Sequence, residues 1–317
     1  MKNPSGGQQK SSLILRIWKV FRWILLGLAV LAIVVYFGVG TMAAMQLTAP
    51  TRNFDPANNP SQFGLKYDEV SYQSRGDQTL IKGWYIPSAT NTKAVILVHG
   101  RNDSRTFAFK GLFVEFANSL HQAGYSVLMI DLRGHGQSGD GRFTFGIKER
   151  WDVEAGVDWL MAHGYQPGSI AAFGYSLGAG SIIEAAAEDT DIGAVISEAG
   201  FADIKPTIEN MWASQSGLPQ LFLQPTIWMT RLLYGYDIYA SRPMEVIGKI
   251  SPRPILLIHC TTDNAIDYSN LAQLSDAAPW AQTWSIAGCE HGYAYNFNPA
   301  DYTEHVIQFL DANLKTE

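Results

Sequence analysis

The chain has 317 residues, 47% of them hydrophobic and 16% charged, with a formal net charge of −6 at pH 7. This length fits one large α/β domain with an additional N-terminal segment. The mildly acidic balance argues against a nucleic-acid-binding protein. The two cysteines and the histidines lack the spacing of a metal site, so we expect no bound metal.

The N-terminal segment predicts a membrane span. No charged residue occurs from Trp23 to Met45, a length that matches the ~20 residues of a spanning helix. The preceding charges are all basic: Lys2, Lys10, Arg16, Lys19 and Arg22. By the positive-inside rule, we expect residues 1–22 in the cytoplasm, residues 23–45 as an uncleaved, single-pass signal anchor in the cell membrane, and the rest on the outer face. Cleavage near Met42–Ala44 and a helix packed on a soluble domain are the alternatives.

Residues 46–66 contain three prolines and are expected to form an extended linker. Two alternating segments, Asp68–Gln73 and Thr79–Ile86, flank a turn and predict an antiparallel hairpin. Later apolar strands alternate with helical segments, which implies a mostly parallel, twisted sheet covered on both faces. We expect the helices near 106–122, 148–163, 177–188, 268–277 and 300–314.

A serine between two glycines carries the clearest chemical signal. The stretch Gly174–Gly178 reads Gly-Tyr-Ser-Leu-Gly, follows the apolar run Ser169–Phe173 and precedes a helical segment. Such a strand–turn–helix is typical of a nucleophile elbow, in which small flanking residues permit a strained serine. Ser176 is therefore the candidate nucleophile.

A base and an acid follow in the order expected for this type of site. The apolar strand Pro254–His259 leads into a loop containing Asp263, and the strand Gln282–Ala287 leads into a loop containing His291. Parallel strands end at one edge of a sheet, so we expect these side chains to meet Ser176 there. A serine hydroxyl needs a base to take its proton, and a carboxylate orients that base.

An earlier strand supplies the candidate oxyanion hole. Lys93–Val98 is followed by a His-Gly turn, which permits close approach of a backbone N–H to a reacting carbonyl. We assign the two oxyanion donors to the backbone amides of Arg101 and Leu177.

From about Tyr67 to the C-terminus, the chain resembles an α/β-hydrolase. Asp131–Ser138 is similar to the Asp-x-Arg-Gly-x-Gly-x-Ser turn after the fourth strand of that fold. Ile250–His259 resembles the approach to the acid in prolyl-oligopeptidase-like and serine-aminopeptidase-like members, although Cys260 stands where many members have glycine. The resemblance implies a hydrolase domain over residues 67–317, with the insertion at about 201–249 forming a helical cap over the serine.

Several assignments have competitors. Asp267 and Glu198 are alternative acids, and some family members place the acid after the sixth strand, where Glu198 lies. The other histidines are interpreted as packing or buried side chains: His99, His135 and His259. The cysteines Cys260 and Cys289 follow neighbouring strands, and we hypothesise a disulfide between them, with two buried free thiols as the alternative.

The sequence therefore predicts a membrane-anchored serine hydrolase that needs no organic cofactor. We expect a carboxylic ester as substrate, either a small molecule or a lipid-like acyl compound. A peptidase or acyltransferase on the same triad is the near alternative, and acidic residues near the cap would hold a substrate amine: Glu198, Asp203 and Glu209. A non-catalytic binding protein on a hydrolase fold is the remote alternative, because such proteins usually lose part of the triad.

Overall fold

The computed structural model describes residues 6–315. Lys2, part of the predicted basic segment 1–22, lies outside the described residues. Helix α1, Gly6–Leu47, contains the predicted span, and Leu13–Leu47 is long and apolar enough to cross a membrane. Most of the span's side chains are exposed, unlike those of a core helix.

Eight strands of the described chain form one sheet in the order β1-β2-β4-β3-β5-β6-β7-β8. The first two strands form the predicted antiparallel hairpin, β2 pairs antiparallel with β4, and all later pairs are parallel. The strands are β1 Asp68–Gln73, β2 Leu80–Ile86, β3 Ala94–Val98, β4 Ser126–Asp131, β5 Ile170–Tyr175, β6 Ile192–Glu198, β7 Ile255–Cys260 and β8 Gln282–Ile286.

Helices alternate with the parallel strands, as the sequence predicts. They are α2 Phe113–Gln122, α3 Glu149–Ala162, α4 Leu177–Glu188, α5 Ile204–Ser216, α6 Leu223–Tyr234, α7 Pro243–Val246, α8 Ser269–Ala277, α9 Ala294–Phe297 and α10 Pro299–Asn313. Short 3₁₀ turns cover Pro60–Phe63, Ala108–Gly111, Gln220–Phe222 and Ile247–Ile250. The fold is thus the α/β-hydrolase architecture.

The central strands are buried on both faces and consist mainly of apolar residues. Every residue of β3, β4, β5, β6 and β7 is buried. Parallel strands covered by helices on both sides require such continuous apolar runs. The sheet therefore gives a rigid edge on which loops can hold polar side chains.

The helix expected over 106–122 begins later than predicted. Phe109 and Lys110 have φ of 54° and 56°, so a 3₁₀ turn precedes the helix, which starts at Phe113. Phe109 is buried. Its ring is stacked on that of Tyr295 at a centroid distance of 5.4 Å, and the Tyr175 ring centroid lies 5.3 Å away. Tertiary packing of this ring overrides the local helical pattern.

The described residues divide into two compact units. One contains α1 and Trp212–Gly235, and the other contains Thr48–Met211 and Tyr236–Glu317. The segment 201–249, interpreted as a cap, is therefore shared between the units. The second unit holds the whole sheet and every candidate catalytic residue.

The Asp-x-Arg-Gly turn after β4 is a buried ion-pair network. Arg133 donates to Asp152 at 2.6 and 3.1 Å and to Ser74 Oγ at 2.8 Å. Asp131 accepts from Arg105, and both side chains are buried. Buried charges are tolerated only when paired in this way, so the motif holds the turn in place.

Candidate active site

Ser176 occupies a sharp turn between β5 and α4. Its φ of 55° and ψ of −117° lie outside the regions that non-glycine residues normally adopt. Glycine is required on both sides, because a Cβ at Gly174 would come within 2.5 Å of the Gly178 backbone. A Cβ at Gly178 would come within 2.4 Å of the Val98 carbonyl oxygen. Backbone strain of this kind is concentrated at functional sites.

The side chains of Ser176, His291 and Asp263 form a continuous hydrogen-bonded chain. His291 Nε2 lies 2.9 Å from Ser176 Oγ, and His291 Nδ1 lies 2.8 Å from Asp263 Oδ2. A proton on Nδ1 satisfies the carboxylate and leaves Nε2 as the acceptor for the serine hydroxyl. The three residues come from loops that follow β5, β7 and β8, so the sheet edge brings them together over a separation of 115 residues between Ser176 and His291.

The fully buried Asp263 carboxylate is held by its own loop. Its Oδ1 accepts from the backbone N–H groups of Ala265 and Ile266, both at 2.8 Å. Burial raises the pKa of Asp263, but hydrogen bonds from His259 and His291 outweigh burial and hold this pKa well below its usual range. The carboxylate is therefore ionised at neutral pH and can stabilise a protonated His291.

His259 approaches the same carboxylate. Its Nε2 lies 3.0 Å from the carbonyl oxygen of Ile266 and 3.4 Å from Asp263 Oδ2. The sequence interpretation of a satisfied, buried histidine is consistent with these contacts. The sequence did not predict that His259 lies beside Asp263, because the sequence around a strand end does not show which way a side chain points.

The competing histidines have structural partners. His99 Nε2 accepts from the Leu132 N–H at 3.0 Å, and His135 Nε2 accepts from the Asn102 N–H at 3.2 Å. Burial lowers the pKa of His99 to about 4 and that of His135 to about 3. Both rings stay neutral and support the loops after β3 and β4. The competing acid Asp267 accepts from a backbone N–H at the start of α8.

The candidate oxyanion donors lie on segments next to the elbow. Leu177 is the first residue of α4, where backbone N–H groups have no partner within the helix. The turn after β3 approaches the elbow so closely that a Cβ at Gly100 would come within 2.9 Å of the Tyr175 ring. Arg101 follows this turn, and its guanidinium lies 4.7 Å from the Phe143 ring centroid.

An additional contact connects the loop after β3 to the elbow. Tyr175 directly precedes the nucleophile in sequence, and its hydroxyl donates to Asp103 Oδ2. Burial raises the pKa of Asp103 to about 6, although the Tyr175 hydrogen bond opposes this rise. Sequence reasoning missed this pair, because its two members are separated by 72 residues and belong to no motif.

Glu198, the other competing acid, supports the elbow through its backbone. Its carbonyl oxygen accepts from the Ser176 N–H at 2.9 Å, whereas its buried carboxyl accepts from the Tyr302 hydroxyl. Burial raises the pKa of Glu198 to about 7, with the Tyr302 hydrogen bond opposing the rise. The carboxyl is therefore held by Tyr302 and remains largely protonated below neutral pH.

Replacing Glu198 by glutamine should stabilise the protein at pH 8 but hardly at pH 4.5. A carboxyl whose pKa rises from 4.5 to about 7 on folding favours the folded state only while protonated. Its contribution is lost as the pH rises through this window, by roughly 2–3 kcal/mol. Urea unfolding of the purified chain at both pH values would measure the difference. An equal effect at both pH values would show that folding does not raise the pKa of Glu198.

A disulfide joins Cys260 and Cys289, as hypothesised from the sequence. Cys260 ends β7 three residues before Asp263, and Cys289 lies two residues before His291. The Thr262 hydroxyl also donates to the Cys289 carbonyl oxygen at 2.6 Å. The loops that carry the candidate acid and base are thus joined covalently and by a hydrogen bond.

Replacing Cys260 and Cys289 together by alanine should lower the free energy of unfolding by about 3–4 kcal/mol, the value for closing a loop of this length. The separation of the cysteines is 29 residues. Denaturant unfolding of the oxidised wild type, the reduced wild type and the double variant would test this, with the last two expected to agree. Two titratable thiols in the unfolded, unreduced wild type would contradict the bridge.

Within residues 6–315, no group of three or more His, Cys, Asp or Glu side chains is arranged to hold a metal ion. The site consists of a nucleophile, a base and an acid on loops at the carboxyl edge of a mostly parallel sheet. This combination of fold and site defines an α/β-hydrolase.

Residues 89–251 match the family model described as serine aminopeptidase, S33. The chain belongs to this family of hydrolytic enzymes.

Known proteins of several sources are similar to the chain. YqkD from Bacillus subtilis is 28% identical over 237 residues, which cover 73% of this chain and 75% of the relative. The polyketide transferase ATR5 of Stachybotrys chlorohalonatus is 31% identical over 254 residues, 66% of this chain and 84% of the relative. The solved esterase Pf2001 from Pyrococcus furiosus superposes with a TM-score of 0.68 at 24% identity, covering 84% of this chain and 98% of that structure. At this identity the superposition shows the shared fold.

Proposed function

We propose that this protein is a membrane-anchored serine hydrolase that cleaves carboxylic esters. The observation that carries the proposal is the hydrogen-bonded chain from Ser176 Oγ through His291 to Asp263, with distances of 2.9 and 2.8 Å. A nucleophile, a base and an ionised carboxylate at these distances are what acyl transfer requires.

In the proposed reaction, Ser176 Oγ attacks the ester carbonyl carbon while His291 Nε2 takes the serine proton. The backbone N–H groups of Arg101 and Leu177 stabilise the negative oxygen of the tetrahedral intermediate. His291 then gives the proton to the departing alkoxide, and an acyl-enzyme and an alcohol result. Water attacks the acyl group with His291 again as base, which releases the carboxylic acid and restores Ser176. Asp263 orients His291 throughout.

The partners of the three candidate amine ligands favour an ester over a peptide with a free amine as the substrate. Asp203 lies 3.0 Å from Arg242 Nε, and the buried Glu198 carboxyl accepts from Tyr302. Glu209 interacts with the Tyr239 hydroxyl. All three candidate amine ligands are therefore engaged by other groups. The description of the family as a serine aminopeptidase supports peptide hydrolysis as the second candidate, and the esterase Pf2001 shares the fold.

Covalent labelling with a fluorophosphonate tests the proposal. We expect the wild type and Ser275→Ala, a change at a half-buried serine of α8, to be labelled, and Ser176→Ala to remain unlabelled. A parallel panel of nitrophenyl esters of different acyl length and aminoacyl nitroanilides separates the two substrate classes. An unlabelled wild type, or equal labelling of Ser176→Ala, would contradict the assignment of the nucleophile.

We further propose that α1 is an uncleaved anchor with its basic end in the cytoplasm and the hydrolase domain on the outer face of the cell membrane. The basic residues before Trp23 and the charge-free stretch that follows support this orientation. Protease treatment of intact cells should digest the hydrolase domain. Protection until the cells are lysed would reverse the orientation, and a mature protein that starts after Met42–Ala44 would contradict the uncleaved anchor.

A further inference from the structure

The segment Leu221–Leu233, which contains most of α6, exposes an unusual set of large apolar side chains. Four of them have exposed fractions from 46% to 75%: Leu221, Trp228, Leu232 and Leu233. Clustered exposure of this kind is rare on proteins surrounded by water and marks a surface that contacts a partner or a membrane. Arg231 is the single charged residue from Leu221 to Tyr234.

This segment packs against α1 within the same compact unit. The Tyr36 and Phe222 rings lie 5.9 Å apart, and the Phe37 and Trp228 rings are stacked at 6.1 Å. Next to these rings, Gly40 approaches Pro225 so closely that a Cβ on the glycine would come within 2.8 Å of the proline. The small residue allows the two backbones to come together, as at helix interfaces in membranes.

The position of these contacts along α1 determines the depth of α6. A helix rises 1.5 Å per residue, so Tyr36 lies about 20 Å and Gly40 about 26 Å from Trp23, where the charge-free stretch begins. A hydrocarbon layer is about 30 Å thick. Both contact residues therefore fall inside the layer, about 5–10 Å from the boundary nearer the C-terminal end of α1. This is the depth at which amphipathic helices rest in one leaflet.

We infer that the segment Leu221–Leu233 is inserted in the membrane leaflet nearer the C-terminal end of α1, where its exposed apolar side chains contact lipid acyl chains; this inference rests on the proposed anchoring by α1. The apolar surface of the segment continues that of the span, and the same lipid covers both. The long Arg231 side chain can reach the headgroup region from this depth. The chain thus contacts the bilayer through two elements instead of one.

Depth-dependent quenching in proteoliposomes tests the inference with the full chain. The two native cysteines are joined in a disulfide, so a single introduced cysteine can carry an environment-sensitive fluorophore. The test position is Leu232→Cys on α6. The positive control is Ile33→Cys, about 15 Å along α1 from Trp23 and therefore near the middle of the layer, and the negative control is Ala89→Cys, an exposed position of the other unit. Fluorophosphonate labelling of each variant reports whether it is folded.

We expect the label at position 232 to be shielded from aqueous iodide and to lose about half or more of its emission to lipids with a quencher near the top of the acyl chain, as a depth of 5–10 Å requires. The label at position 33 should be quenched more by a deeper quencher, and the label at position 89 by iodide alone. Iodide quenching at position 232 with a protected position 33 would overturn the inference and leave the anchor standing.

Two other outcomes also overturn the inference. If position 232 is shielded from iodide but is not quenched by lipid, protein covers the segment, for example a second copy of this chain. If position 33 is itself open to iodide, the proposed anchor fails and the insertion of α6 fails with it. Labelling of Ser176 by the fluorophosphonate is independent of both results, so the catalytic proposal is tested separately.

Discussion

Replacing His291 by alanine should lower kcat/KM for a nitrophenyl ester by about 10⁴- to 10⁶-fold, the range for loss of the base from a serine triad. The reason is geometric. His291 Nε2 lies 2.9 Å from Ser176 Oγ, and the other histidines near the sheet edge have partners of their own. Without His291, the serine hydroxyl has no base to receive its proton. Steady-state kinetics of the purified, detergent-solubilised chain would measure the loss.

His163 offers a matched control for this experiment. Its ring is exposed, lies 3.7 Å from the Trp159 ring centroid in α3 and belongs to no loop of the candidate site. His163→Ala should therefore leave kcat/KM within a few-fold of the wild type. A similar loss in both variants would point to a folding defect, and a near-wild-type rate in His291→Ala would refute the assignment of the base.

Replacing Asp263 by asparagine should lower kcat by up to about 10⁴-fold with little change in KM. Asparagine can present its amide N–H to His291 and so favour the tautomer with the proton on Nε2, which cannot accept the serine proton. It also removes the negative charge that stabilises the protonated ring. The buried Asp263 carboxylate accepts from His291 Nδ1 at 2.8 Å, so the effect on the ring is direct.

Asp267→Asn is the matched control for the acid. Asp267 is four residues further on, and its carboxylate accepts from the Ser269 N–H at 2.9 Å. Its replacement should change kcat by no more than a few-fold, because the contact is with the backbone of α8 and not with His291. If Asp267→Asn were the severe change and Asp263→Asn the mild one, the acid would be wrongly assigned.

The order of strands and helices could be predicted because each buried strand is a short, mainly apolar run between turn residues. The strand Ile255–Cys260 illustrates this, since its apolar run between Pro254 and the polar loop leaves few other interpretations. The beginning of α2 could not be predicted, because Phe109 adopts its left-handed conformation to bury its ring among aromatic side chains from distant segments. Such packing has no local sequence signal.

In the candidate site, too, some features could be predicted from the sequence and others could not. Ser176, Asp263 and His291 follow strands in an order that a motif makes visible, so the sequence could indicate that they meet. The approach of His259 to Asp263 and the contact of Tyr175 with Asp103 depend on side-chain directions fixed by the folded core. Likewise, the apolar content of 201–249 was evident in the sequence, but its division between two compact units was not.

The bridge between Cys260 and Cys289 has a practical consequence for the choice of production host. Glutathione and thioredoxin keep thiols reduced in a bacterial cytosol, whereas an export compartment oxidises them. Protein that stays in the cytosol would lack this disulfide, so the loops that carry Asp263 and His291 would no longer be joined covalently. Low activity of such a preparation could then be mistaken for that of a defective enzyme. Exported protein should show the higher specific activity, and mild oxidation of the cytosolic product should recover it.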